Sequence, residues 1–173
     1  PASVLHFRDA VTRDTLTDVQ SMMDDEPQLV DAEFAAGRGI AQAIHHCRSV
    51  EMIAALLDHG ADINARTTVH HVGETPVGVQ IRFGTTEAVE FLLRRGANPN
   101  GGLLKFMRTE SMPVLIPLLL KYGWDINEGR GVRTLLHHDA AHGHTQKVRL
   151  LLNHGADPNA RDVDGRSFTP DCR

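Results

Sequence analysis

The chain has 173 residues, 41% of them hydrophobic and 23% charged, a globular composition with length enough for a real core. Its formal net charge is −4 and it carries no basic stripe of the kind that tracks a phosphate backbone, so no nucleic-acid partner is expected. The longest apolar run, Val114 to Leu120, falls far short of the ~20 residues that span a bilayer, and no membrane partner is expected either.

Residues 1–35 hold eight acids against Arg8 and Arg13, a local charge of −6. Their pattern predicts a solvent-facing terminal layer, with Ala10, Val11, Val19, Met22 and Met23 turned inward and the acids coating the outer face. From Leu56 the chain spells LLDHGADIN, then repeats the phrase as LLRRGANPN from Leu92, LLKYGWDIN from Leu119 and LLNHGADPN from Leu151. Its glycines, Gly60, Gly96, Gly123 and Gly155, stand 36, 27 and 32 residues apart. Spacings that scatter around ~33 mark a repeat architecture.

Each recurring residue type has a mechanical role. Thr75 is placed to cap a helix and Pro76 to open its first turn, where no N–H is missed. Gly84 and Gly143 read as tight turns between antiparallel helices. Val89, Leu92 and Leu93, and again Val148, Leu151 and Leu152, share one helix face, as Met52, Ile53, Leu56 and Leu57 do earlier. Gly60, Gly96 and Gly155 follow the outer helix where a left-handed cap is wanted, and the Asp or Asn beyond bonds the turn backbone. The weakest unit follows Gly102. Pro117 lies inside its outer helix and is expected to kink or shorten it, and Trp124 replaces a small residue as packing over that joint.

Taken together, GETPVGVQIRFGTTEAVEFLLRRGANPN from Gly73 and RTLLHHDAAHGHTQKVRLLLNHGADPNARDVDGRS from Arg133 resemble the ankyrin repeat. The resemblance implies an all-α solenoid of stacked helix-loop-helix units with finger loops. As one domain, its units span roughly 1–35, 36–68, 69–100, 101–130 and 131–162, with a partial unit at 163–173. It also implies protein–protein interaction, as adaptor, inhibitor or targeting subunit, through the inner-helix ends and the loops. Carried over residue by residue, the contact positions are Arg13, His46, Cys47, His71, Val72, Glu74, Arg82, Phe83, Thr109, Glu110, Arg130, Arg133 and His142. Phe83 flanked by Arg82 has the make-up of an interface anchor; packing against the adjacent unit is the competing role. The expected partner is another protein, bound by a monomeric chain.

The competing function is an enzyme or small-ligand site built from His, Cys and Asp. Eleven histidines are many for this length. His137 and His144 sit where the family uses histidine structurally, His137 to bond backbone between loops, and His59 and His154 fall near outer-helix C-termini, where positive charge suits the dipole. His45, His46, His70, His71, His138 and His142 have no such assignment. His138 and His142 have the i, i+4 spacing that can ligate zinc, although no Glu follows His138 in the metalloprotease manner, and neither a metal site nor a cofactor is expected. Asp139 replaces a small packed residue: it either bonds His137, His142, Arg133 or a loop amide, or forms an acid–base pair with His138 or His142. Cys47 beside two histidines is a conceivable nucleophile, but no CxxC, HExxH or GxSxG accompanies it. Two isolated cysteines, Cys47 and Cys172, make no disulfide framework and point to a reducing, cytoplasmic or nuclear setting.

Overall fold

The structure, a computed structural model, describes residues 2–36, 39–67, 73–100, 105, 107–129, 133–161 and 164. These fall into two compact units, residues 1–102 and 103–173.

The first unit opens with α1 (Ala2–Thr12) and α2 (Leu16–Asp25), followed by a 3-10 turn at Pro27–Asp31. Two short antiparallel strands come next, β1 (Glu33–Ala36) and β2 (Gly39–Gln42), with Phe34 opposite Ala41. A second 3-10 turn, Ala43–His45, leads to α3 (Val50–Asp58), and α4 (Pro76–Phe83) and α5 (Thr86–Arg94) complete the unit. Phe7, Val11, Val19, Met23, Met52, Ile53, Leu56, Val77, Val89 and Leu92 are fully buried, so the apolar stripes of all these helices meet in one core. Met22, expected inward, is only half-buried.

The all-α plan holds, with one addition. Where the second repeat would place an inner helix, the chain instead runs through β2 and the three-residue turn Ala43–His45. Phe34 and Ala41, on opposite strands, are both buried, and the Phe34 ring lies 6.2 Å from that of Phe7. Extended backbone thus delivers apolar side chains to the terminal layer that a helix of this length would not reach.

The repeated phrase builds the same joint each time. Gly60, Gly96, Gly123 and Gly155 all have φ between 89° and 95°, a left-handed conformation that L side chains avoid. Each donates its amide to the carbonyl three residues back, at 3.1 Å, and the next residue donates to the carbonyl five back: Ala61 to Leu56, Ala97 to Leu92, Trp124 to Leu119 and Ala156 to Leu151. That pair of bonds is the Schellman closure of a helix. Two residues further on, an Asx turn forms at Asp62, Asn98, Asp125 and Asp157, each side chain accepting from the backbone N–H two residues ahead at 2.8 to 2.9 Å.

Gly84 departs from expectation. Its φ is −97°, so no left-handed turn occurs there. Its lack of a side chain serves close approach instead, because a Cβ would lie 1.8 Å from Oε1 of Gln80. Gly143 does adopt φ 70°, and the equivalent place between α1 and α2 is taken by Asp14 at φ 60°. Asp is one of the few side chains that tolerates that region.

The second unit contains α6 (Met112–Lys121), α7 (Leu135–Ala141) and α8 (Thr145–Asn153) around Met107, Met112, Ile116, Leu119, Leu136 and Leu151. Trp124 is buried there, in the packing role expected of it. Pro117 does not end its helix: α6 runs ten residues through it. Pro113 sits in the first turn, and both prolines face outward, so the missing N–H falls on the solvent side. On α8 only Leu151 of the expected face is buried; Val148 is half-buried and Leu152 is 36% exposed. Among the described residues no helix follows α8, and none is long and apolar enough to cross a membrane.

Two substitutions test these joints by denaturant unfolding. Gly96→Ala meets no atom within 4 Å, so its cost is the left-handed backbone alone, about 1–2 kcal/mol. Pro117→Ala restores a helical N–H donor and stabilises by about 1–3 kcal/mol; an unchanged or lower midpoint would show that the proline contributes something α6 needs.

Candidate functional site

In the first unit, consecutive repeats are tied together at their helix ends. Ser49 accepts from the Met52 amide at 3.2 Å, capping α3, while its hydroxyl donates to Asp14 Oδ1 at 2.7 Å. From α4, Gln80 Nε2 donates to the Cys47 carbonyl at 3.1 Å. These two bonds set the loop at Arg13–Asp14, the segment at Cys47–Ser49 and the end of α4 side by side. Gln80 was not singled out by sequence reasoning. A signal was available: it stands five residues after Thr75, as Asp139 stands five after Thr134, a place otherwise given to small residues.

At the end of α4, Arg82, Phe83 and Glu74 come together. Glu74 is 8% exposed and its Oε1 accepts from Arg82 Nη1 at 3.0 Å. The Arg82 guanidinium lies 4.5 Å from the centre of the Phe83 ring, within cation–π range. Phe83 is 67% exposed, too open for a side chain whose role is packing. Glu74 itself is fixed by the loop, its carbonyl accepting from the Thr67 amide at 2.9 Å. The arrangement is an aromatic ring on a helix end, stiffened by a charge pair half out of water.

The other predicted positions divide clearly. Arg13, Glu110, Arg133 and His142 are exposed, and Thr109 and His46 are half-buried. His71, Val72 and Arg130 lie outside the described residues, as does His70. Cys47 must be withdrawn both as a contact and as a nucleophile. It is 5% exposed, its Sγ faces the Ala43 carbonyl at 3.5 Å, and burial pushes the thiol far above its ordinary range, holding it protonated. His45, now assigned, is buried and its Nε2–H donates to the Ala65 carbonyl at 3.0 Å. The His46 ring lies 5.9 Å from Phe34.

In the second unit the anomalous Asp139 is 0% exposed. Its partners are not His137, His142 or Arg133. His144 Nδ1 donates to its Oδ1 at 2.9 Å and His138 Nδ1 faces the same oxygen at 3.4 Å, leaving Oδ2 buried without a hydrogen-bond partner. An acid–base pair with His142 is therefore absent, since His142 Nδ1 donates to the His138 carbonyl at 2.8 Å. His137 bonds the Thr134 hydroxyl at 2.7 Å. His59 and His154 stand at the C-terminal ends of α3 and α8, as expected, and each donates Nδ1–H to a carbonyl four residues back, at 2.8 Å. Among the described residues no three of His, Cys, Asp and Glu are grouped so as to hold a metal ion.

Burial lowers the pKa of His45, His46 and His138 below the ordinary 6.5, desolvation being the largest cause in each. The unfolded chain, where these rings regain ordinary values, then binds more protons than the folded one once the pH falls through about 6.5. The contribution of these three rings is fully present above that pH and is lost below it, while His59, its pKa raised by its bonds to the Ala55 carbonyl and Asp24, acts in the opposite direction. Thermal melts at pH 7.5 and 5.5 should show a lower midpoint in acid, and His45→Gln should reduce the difference; a midpoint that rises in acid would contradict the assignment.

The family model described as ankyrin repeat matches residues 40–68 and 133–163. Across 111 residues the chain is 32% identical to "Ankyrin repeat and SOCS box protein 11" of Danio rerio, covering 58% of this chain and 38% of that protein. It is 31% identical over 121 residues to "Ankyrin repeat protein nuc-2" of Neurospora crassa (65% of this chain, 11% of that one), and 29% identical over 120 residues to a "Putative ankyrin repeat protein" of Rickettsia bellii (68% and 17%). The chain thus spans well under half the length of these relatives. Its glycine-closed helices and Asx turns recur in the regions so matched, and the chain carries ankyrin repeats, which are in general protein-interaction modules.

Proposed function

We propose that this chain is a recognition module that holds a partner protein, as adaptor, inhibitor or targeting subunit, with Phe83 and Arg82 at the centre of the contact. The observation that carries this reading is the 67% exposure of Phe83 on a helix end, with the Arg82 guanidinium stacked at 4.5 Å. An aromatic left in water is costly to keep unless a partner covers it, and aromatic and Arg side chains dominate the energy of protein interfaces. Because Glu74 pins Arg82, little side-chain freedom remains to be lost on binding, which favours affinity. Arg13 and the half-buried His46 extend the same set of helix ends within the first unit. A cytoplasmic or nuclear setting belongs to the same proposal, supported by the buried free thiol of Cys47.

The test is quantitative capture of bound proteins with wild type, Phe83→Ala, Arg82→Glu and Leu5→Ala, the last removing a 57% exposed side chain on α1. Phe83→Ala and Arg82→Glu should lose the same partner at least tenfold, about 1.4 kcal/mol, with unfolding midpoints near wild type for Phe83→Ala, while Leu5→Ala retains it. Retention by both α4 variants would move the contact away from α4.

A further inference from the structure

We infer, resting on the recognition role proposed above, that the partner held at the Arg82–Phe83 corner presents an acidic peptide segment, with Asp or Glu beside an apolar side chain. The apolar side chain covers Phe83, and Arg13 and Arg48 receive the carboxylates.

Three segments along one edge of the first unit each bring an arginine. Arg13 follows α1, Arg48 precedes α3, and Arg82 lies in the last turn of α4. The bond from Ser49 to Asp14 sets the first two segments side by side, and the bond from Gln80 to the Cys47 carbonyl sets the second beside the third. Arg82 is already paired with Glu74 at 3.0 Å, so it braces Phe83 while its charge is met from within. Arg13 and Arg48 differ. Both are exposed, and among the described residues their side chains make no hydrogen bond or ion pair.

The acids of this edge are occupied. Asp9 holds Arg8 at 2.8 Å, Asp14 accepts from Ser49 at 2.7 Å, and Glu74 is buried against Arg82. The outer helices of the same unit have the reverse character: α2, α3 and α5 carry three, two and two acids against one arginine, Arg94. An acidic segment is therefore repelled from the outer helices and finds two uncommitted cations beside Phe83, a complementarity that fixes where it sits. Guanidinium forks match carboxylates in bidentate geometry, and the exposed ring supplies the apolar half of the contact. A nucleic-acid backbone, with its closely spaced phosphates, would also meet Asp9 and Asp14, so a peptide with separated charges fits better.

The experiment selects a random peptide library displayed on phage against the full chain, then measures synthesised winners by fluorescence anisotropy. Peptides that lose binding with Phe83→Ala should carry more Asp and Glu than Lys and Arg. Arg13→Glu and Arg48→Glu, both at exposed positions, should each weaken these peptides about tenfold, with melting temperatures near wild type. Arg94→Glu, on an outer helix, should leave them unchanged. Raising NaCl from ~50 to ~500 mM should weaken wild-type binding and have less effect on the Arg13→Glu/Arg48→Glu double variant. Phe83-dependent peptides that are neutral or basic and indifferent to both reversals would overturn the acidic partner and leave the α4 contact standing. Enrichment of no Phe83-dependent peptide would overturn both. A single-stranded oligothymidylate that binds as tightly as the peptides would overturn the inference in favour of phosphate recognition.

Discussion

The structure depends on one short-range constraint, the left-handed glycine that closes each outer helix and aims the chain at the next repeat. Helices of 7 to 11 residues are too short to persist alone in water, so each must lean on a neighbour. The joint decides where that neighbour lies. After Gly60 the chain turns so that Asn64 Oδ1 accepts from the Asn98 amide of the following repeat at 2.8 Å, and after Gly123 so that Asn127 Oδ1 accepts from Asp157 at 2.7 Å. The last letter of the repeated phrase is thus a bond to the next copy of the same phrase. Propensity alone could not supply this, because the bond exists only when two consecutive joints have the same geometry.

The candidate contact inherits its rigidity from these ties. Ser49 reaching Asp14 and Gln80 reaching Cys47 hold successive helix ends in register within the first unit. The Arg82–Phe83 pair stands at the end of that row, with its counter-charge delivered by the loop that carries Glu74. Scaffold and surface are therefore not separate layers: polar side chains that lock the stack also fix what it presents.

Much of this was legible in the sequence because it is written as repetition. The Gly markers, the Thr75 cap and the helix-end places of His59 and His154 are local, and local chemistry reads directly from residue type. What escaped depends on neighbours distant in the chain. The strand pair at Glu33–Gln42 is selected by burial of Phe34 against the terminal layer, a tertiary preference. Gly84 looked like a turn residue, yet its smallness answers to the Gln80 side chain, which is itself drawn down by a carbonyl 33 residues earlier. Pro117 looked like a breaker, but a proline on the wet side of a helix leaves its orphaned carbonyl to water. Asp139 was recognised as anomalous, while its true partner, His144, had already been assigned to another role.

The pairing of Arg82 with a largely buried Glu74 bears on how this surface meets other molecules. The guanidinium positions the phenyl ring while its own field is cancelled from behind, so the anchor projects little potential beyond the Debye length of ~8 Å at physiological salt. Under the proposed function, Arg82 itself then adds little steering to an encounter at Phe83, and its contribution lies in residence time rather than arrival rate.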